Sequence, residues 1–216
     1  MINKGILFDN IHSYDDLNLI LSSSEIPPAK PKTTYIDIPG ADGSIDLTEA
    51  NGEVKYSDRT LKFTFTILPD SLHTFEEKKT EVVNLLNGRN FKITQDKDED
   101  FYFEGRCTVA SYKADRNLHQ ITVEAKVKPY KLKHIITKKT VALTGTATAV
   151  TIANSRKSVV PSITCTGNTK ITFGSGTYSL NAGTHKVLDI VFVEGNNVVS
   201  VSGSGNVTFE FREGEL

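Results

Sequence analysis

The sequence predicts a mainly β protein of two domains, the first carrying one α-helix and the second a β-sandwich. Three observations predict it. Apolar and polar residues alternate over much of the chain, the pattern of half-buried antiparallel strands. Helical spacing appears in a single segment, about residues 70–87. After Pro129-Tyr130-Lys131 the composition shifts to Thr, Val, Gly, Ser and Asn with closely spaced turn signals. The 216 residues, 24% charged and 38% hydrophobic, can bury one large core or two small ones and argue against wholesale disorder. The expected domains are residues 1–132 and 133–216.

Asp9, Asp15 and Asp16 interrupt the first residues, so they do not read as a signal peptide. No run of about eighteen apolar residues predicts a membrane helix. Synthesis in the cytoplasm without membrane insertion is the expectation. Ile26-Pro27-Pro28-Ala29-Lys30-Pro31 must be extended, because proline fixes φ and restricts the residue before it. It reads as an arm laid on a surface. Ile36-Asp37-Ile38 and Ser44-Ile45-Asp46-Leu47 read as two strands around Pro39-Gly40-Ala41-Asp42-Gly43, where Pro-Gly suits a type II turn and Asp-Gly a type I′ turn.

Leu61, Phe63, Phe65 and Ile67 alternate with Lys62, Thr64 and Thr66, and Ile121, Val123, Ala125 and Val127 with Thr122, Glu124 and Lys126. A third run sets Phe101, Phe103, Cys107 and Val109 against Tyr102, Glu104 and Arg106. Between them, Leu72, Phe75, Val82 and Leu86 recur at helical spacing, with Asp70 or Ser71 as N-cap and Gly88 as stop. In the second half the expected strands are Val141–Leu143, Thr148–Ile152, Ser162–Thr166, Lys170–Phe173, Lys186–Val193, Val198–Val201 and Val207–Phe211. Gly167-Asn168, Gly174-Ser175-Gly176, Ala182-Gly183, Gly195-Asn196-Asn197 and Gly203-Ser204-Gly205 read as the turns between them.

Chemistry finds little purchase. A formal net charge of −1 argues against a nucleic-acid binder, which needs a basic excess. There is no GxSxG, HExxH, P-loop or complete GxGxxG. The five histidines, His12, His73, His119, His134 and His185, are scattered, whereas a zinc site needs three or four converging donors. Asp96-Lys97-Asp98-Glu99-Asp100 opens like a calcium loop, but Phe101 and Cys107 occupy the positions where an EF-hand needs Gly and Glu; a solvated turn is expected. Cys107 and Cys165 read as buried free thiols. No catalysis, no cofactor and no metal are expected. Sugar binding by the second domain is the alternative function. The chain has no Trp, and of the aromatics there only Tyr178 is a candidate sugar contact.

The blocks Leu19-Ile20-Leu21, Ile26-Pro27-Pro28-Ala29-Lys30 and Tyr35-Ile36-Asp37-Ile38-Pro39-Gly40-Ala41-Asp42-Gly43-Ser44-Ile45-Asp46-Leu47-Thr48-Glu49 resemble the distal tail (Dit-type) proteins of long non-contractile-tailed phages of Gram-positive hosts. So do Gly52, Tyr56, Arg59-Thr60-Leu61-Lys62-Phe63, Leu85-Leu86-Asn87-Gly88, Phe101–Arg106 and Pro129-Tyr130-Lys131. The second half is similar to that family's galectin-like sandwich through Asn154, Pro161-Ser162-Ile163, Gly195-Asn196-Asn197 and Val201–Phe209, with Arg156-Lys157 where the family has Gly-Asn.

The resemblance implies an N-terminal β-sandwich or split-barrel domain and a structural hub in the virion tail tip or baseplate. It implies a homo-oligomeric ring, usually hexameric, through which DNA passes without specific binding. The implied neighbours are the major tail tube protein, a tail-associated lysin or fibre-base protein and, in some relatives, receptor-binding proteins. A closed ring uses a heterologous interface, and strand edges are adhesive. The arm and hairpin are therefore the candidate interface, with Pro27, Pro28, Pro39, Gly40, Asp42, Gly43, Asp46, Thr48 and Glu49 as its expected residues.

Overall fold

Strands account for most of the chain in a computed structural model that describes residues 5–50, 52–67, 72–115 and 118–216. Contacts divide the chain between Lys131 and Leu132. The first unit contains β1 (Ile6–Phe8), β2 (Ile11–His12), β3 (Ile20–Glu25), β4 (Tyr35–Asp37), β5 (Ser44–Asp46), β6 (Arg59–Ile67), α1 (Leu72–Leu86), β7 (Asn90–Gln95), β8 (Asp98–Asp115) and β9 (Leu118–Val127). Seven of these strands run antiparallel in the order β2-β1-β7-β8-β9-β6-β3, the main path of a nine-stranded sheet, and β4 with β5 forms a separate two-stranded sheet.

The alternation is realised as side selection. Leu61, Phe63 and Phe65 of β6 are fully buried, as are Ile121, Val123 and Ala125 of β9, and the register sets Phe63 opposite Val123. The core is closed by Phe75, Val82 and Leu86 of α1, which recur on one helical face. The helix stops at Gly88, whose φ of +77° is the left-handed conformation that suits glycine there. Its N–H donates to the Cys107 carbonyl at 2.8 Å. The N-cap expected at Asp70 or Ser71 lies outside the described residues.

One alternation fails. Tyr102, expected to face solvent, is buried, and Lys92 of β7 lies over its ring, Nζ 5.3 Å from the centroid. Phe101 is only half-buried, beneath Lys131 at 4.1 Å.

β10 (Lys131–Lys133) spans the division, and the second unit continues with β11 (Thr137–Thr144), β12 (Thr148–Asn154), β13 (Ser162–Cys165), β14 (Thr169–Phe173), β15 (Gly176–Leu180), β16 (Gly183–His185), β17 (Gly195–Phe211) and β18 (Gly214–Glu215). The turns expected at Gly195-Asn196-Asn197 and Gly203-Ser204-Gly205 are instead parts of β17. The N-terminal half of β17 pairs with β12 and β14, its C-terminal half with β11 and β13. A single strand thus passes from one layer of the sandwich to the other, the corner device of stacked sheets. Gly203 (φ +130°) and Gly205 (φ +82°) make the bend. A side chain at 203 would place its Cβ 2.1 Å from the Asn168 carbonyl oxygen. Ile152, Ile163, Ile171, Phe192, Val199, Val201, Val207 and Phe209 fill the space between the layers.

The strand expected at Lys186–Val193 is absent; only an isolated bridge joins Phe192 to Val159. At the end of this segment, buried asparagines bond the backbone of Phe192 and Val193. Asn197 accepts from the Val193 N–H at 3.0 Å and donates to the Val193 carbonyl at 2.9 Å. Asn154 donates to the Phe192 carbonyl at 3.0 Å. Backbone groups satisfied by side chains need no neighbouring strand.

Candidate functional site

The segment from Pro31 to Tyr56 leaves the first unit from a fixed base. Ser57 N–H donates to the Lys30 carbonyl at 2.9 Å and Lys32 N–H to the Lys55 carbonyl at 2.7 Å. Pro31 bridges Tyr56, whose ring meets Tyr130 edge-on, centroids 5.9 Å apart. The proline-rich stretch is therefore held to its own chain at one end, while Pro27 and Pro28 remain exposed.

Beyond that base the chain forms the expected hairpin, with Tyr35 opposite Asp46, Ile36 opposite Ile45 and Asp37 opposite Ser44. Ala41 N–H donates to the Ile38 carbonyl at 3.1 Å and Gly40 has φ +83°. Pro39-Gly40 is thus the centre of a type II turn. Gly43 also has positive φ, +76°, but Asp42 does not, so the type I′ turn expected at Asp42-Gly43 is not formed; that turn requires both central residues left-handed. At the hairpin's return, Asp46 accepts from Thr48 N–H at 2.8 Å and the Thr48 hydroxyl accepts from Thr34 N–H at 3.2 Å. The Thr48 hydroxyl and N–H, then Tyr35, hold the Asp46 carboxyl below its ordinary pKa.

Every residue from 31 to 47 is exposed. Residues two apart share a face, so Ile36, Ile38, Ile45 and Leu47 line one side and Tyr35, Asp37, Ser44 and Asp46 the other. The described residues leave the apolar side largely exposed: Ile36 is 50% exposed, Ile38 45%, Ile45 48% and Leu47 39%, and Tyr35 opposite is 57% exposed. Two three-residue strands do not make an independently stable hairpin in water. The hairpin thus presents an exposed apolar side next to a polar one. The structure brings Pro39, Gly40, Asp42, Gly43, Asp46, Thr48 and Glu49 into this one excursion and sets Pro27 and Pro28 before its base.

Elsewhere the chemistry stays sparse. Among the described residues no group of three His, Cys, Asp or Glu could hold a metal ion, and no helix is long and apolar enough to cross a membrane. Cys107 and Cys165 are buried free thiols; burial, then the Asp9 charge, pushes Cys107 up to about 12, leaving it unreactive. The Asp96-Lys97 turn is less solvated than expected, because Asp96 accepts from Gly5 N–H and stands 3.2 Å from His12 Nε2. Tyr178 is half-buried against the second core, its hydroxyl 3.5 Å from Asp189, rather than a free stacking platform. Sequence reasoning missed Arg59, buried at the end of the β6 apolar face. Its spacing two before Leu61 was the available signal.

The family described as phage tail protein RIFT-related domain matches residues 11–127, more than half of the chain. No curated protein matches. Among solved structures, the chain is similar to the Dit protein of phage SPP1, described as a paradigm of the hub adsorption apparatus in phages infecting Gram-positive bacteria. The TM-score is 0.73 at 14% identity, covering 99% of both chains, and this establishes a shared fold. A chain in the phage P2 baseplate, in its activated conformation with calcium, matches at TM-score 0.41 and 9% identity over 99% of this chain and 98% of that one; a likeness this low carries no argument.

Proposed function

The chain belongs to the phage tail protein family with a RIFT-related domain, and from that premise we propose that it is a non-enzymatic structural hub of the tail tip that closes into a ring of identical copies. A virion tail component needs assembly surfaces rather than a reaction centre, and the exposed amphipathic hairpin is the observation that carries the reading. Its apolar side has no cover in its own chain, and a neighbouring copy supplies one. In a head-to-tail ring the hairpin of each copy meets a different surface on the next, and the arm at Pro27 and Pro28 enters the same contact. Six copies are the expected number. The tail tube protein and a tail-associated lysin or fibre-base protein are the expected neighbours above and below, with receptor-binding proteins outside.

The ring leaves an open centre for DNA. Its wall is neutral or acidic, since a basic lining would retain the passing phosphates. The test is sedimentation velocity of the purified protein combined with electron micrographs of the protein and of intact tails. Annular particles are expected. Gly40→Val with Gly43→Val should abolish them while leaving the circular dichroism of the subunit unchanged, because neither glycine has a neighbour within 4 Å and both have positive φ. Rings that survive the double substitution reject the hairpin's role, and a basic lumen rejects the account of DNA passage.

A further inference from the structure

Arg59 is a buried cation with most of its donors idle. It opens β6 on the side of Leu61, Phe63 and Phe65 and is 7% exposed. The guanidinium lies on the Phe103 ring, 4.7 Å from the centroid, and Nη1 donates to the Pro27 carbonyl at 3.2 Å. Nε and Nη2 are buried without a hydrogen-bond partner among the described residues. Desolvation pushes the Arg59 pKa down, yet a guanidinium keeps its charge in proteins. A buried charge without a counter-ion is destabilising. The two idle donors are also adjacent, and together they form the side of the guanidinium that a carboxylate bridges with two parallel bonds.

The opposite imbalance lies on the hairpin excursion. Residues 33–54 contain Asp37, Asp42, Asp46, Glu49 and Glu53 and no Lys, Arg or His. Asp46 is engaged by Thr48 and Glu53 by Lys55. Asp37, Asp42 and Glu49 have no side-chain partner among the described residues.

We infer that Arg59 receives a carboxylate from residues 33–54 of a second copy of this chain. The inference rests on the assembly reading above and names the polar anchor of that contact. The apolar side of the hairpin supplies burial, and Arg59 supplies register, because a fork accepts a carboxylate in few orientations. Nε and Nη2 are buried, so the residues over them must shift as the carboxylate arrives, while the Nη1 bond to the Pro27 carbonyl can stay.

The test compares Arg59→Met, Arg59→Lys and the triple variant Asp37→Asn, Asp42→Asn, Glu49→Gln with the parent chain. Self-association is followed by sedimentation velocity, and the stability of the dissociated subunit by urea unfolding. Arg59→Met removes a buried charge at similar volume, so the urea midpoint should hold or rise while self-association weakens at least tenfold. Arg59→Lys keeps the charge without the fork and should also weaken association. The triple variant should match Arg59→Met, and the two combined should lose no more than either alone. Unchanged association in Arg59→Met, independent losses in the combined variant, or a lowered urea midpoint in Arg59→Met overturns the inference while leaving the ring reading standing. A parent chain that never self-associates, alone or in tails, overturns the ring reading itself.

Discussion

Strand β6 and the β4–β5 hairpin share one alternating pattern and meet opposite fates. On β6, Leu61, Phe63 and Phe65 have no exposure; on the hairpin, Ile36, Ile38 and Ile45 are about half exposed. Propensity does not separate them, since both set large apolar residues on one face against mostly polar ones on the other. Surroundings do. β6 lies between β3 and β9 and faces the α1 side chains Phe75, Val82 and Leu86 across one core. The hairpin strands have only each other. Alternation reports that a face is to be covered, but not by which molecule.

The largest expected effect tests that distinction directly. Phe63→Ala should cost the unassembled subunit about 3–5 kcal/mol, the usual cost of emptying a packed aromatic site. Ile36→Ser with Ile45→Ser should change urea stability by no more than about 0.5 kcal/mol, as for exposed positions, yet abolish self-association. A hairpin variant that unfolds the subunit would mean that its apolar face is covered within one chain. Glycines sharpen the contrast at smaller scale. Gly203 and Gly40 both have positive φ, but only Gly203 is crowded, by the Asn168 carbonyl. Gly203→Ala should cost roughly 2–4 kcal/mol from strain and overpacking together. Gly40→Ala should cost about 1 kcal/mol or less, confined to the hairpin and invisible in global unfolding. Equal losses would show that backbone conformation alone governs both sites.

The parts of the fold legible in the sequence were those where one local rule decides. Alternation over 61–67 and 121–127 gave β6 and β9, helical spacing at Phe75, Val82 and Leu86 gave α1, and Pro39-Gly40 gave its type II turn. Misreadings came where a distant partner decides. Gly203-Ser204-Gly205 resembles a turn, but β17 only bends there and continues, because its two halves pair in different layers. Lys186–Val193 has strand composition, yet it forms no ladder, and at its end Asn154 and Asn197 bond the backbone of Phe192 and Val193. Asp42-Gly43 has the residues of a type I′ turn, but a three-residue strand on either side does not impose one. Arg59 was hidden because a charged residue at the end of an apolar alternation reads as the strand's exposed start, and only packing against Phe103 and Pro27 shows it facing inward.

The smallest effect concerns two carboxylates held below their ordinary pKa, one in each environment. Burial pushes Glu213 up, but the Ser155 and Thr137 hydroxyls, each 2.5 Å from a carboxylate oxygen, and Lys133 at 3.1 Å together hold its pKa down. A depressed folded-state pKa contributes stability that is complete above the unfolded value and is lost as pH falls through the folded one. Urea midpoints of the parent chain should therefore decline on acidification below the ordinary glutamate range, and Glu213→Gln should flatten part of that decline while lowering the neutral-pH midpoint. Asp46 is depressed too, through Thr48, but its bonds sit wholly within the exposed hairpin. Asp46→Asn should leave the pH dependence of global unfolding unchanged and shift only the amide resonances of Thr34 and Thr48. If Asp46→Asn alters global unfolding as much as Glu213→Gln, the hairpin is energetically continuous with the core of its own subunit, and the division between a buried sheet and an exposed hairpin fails.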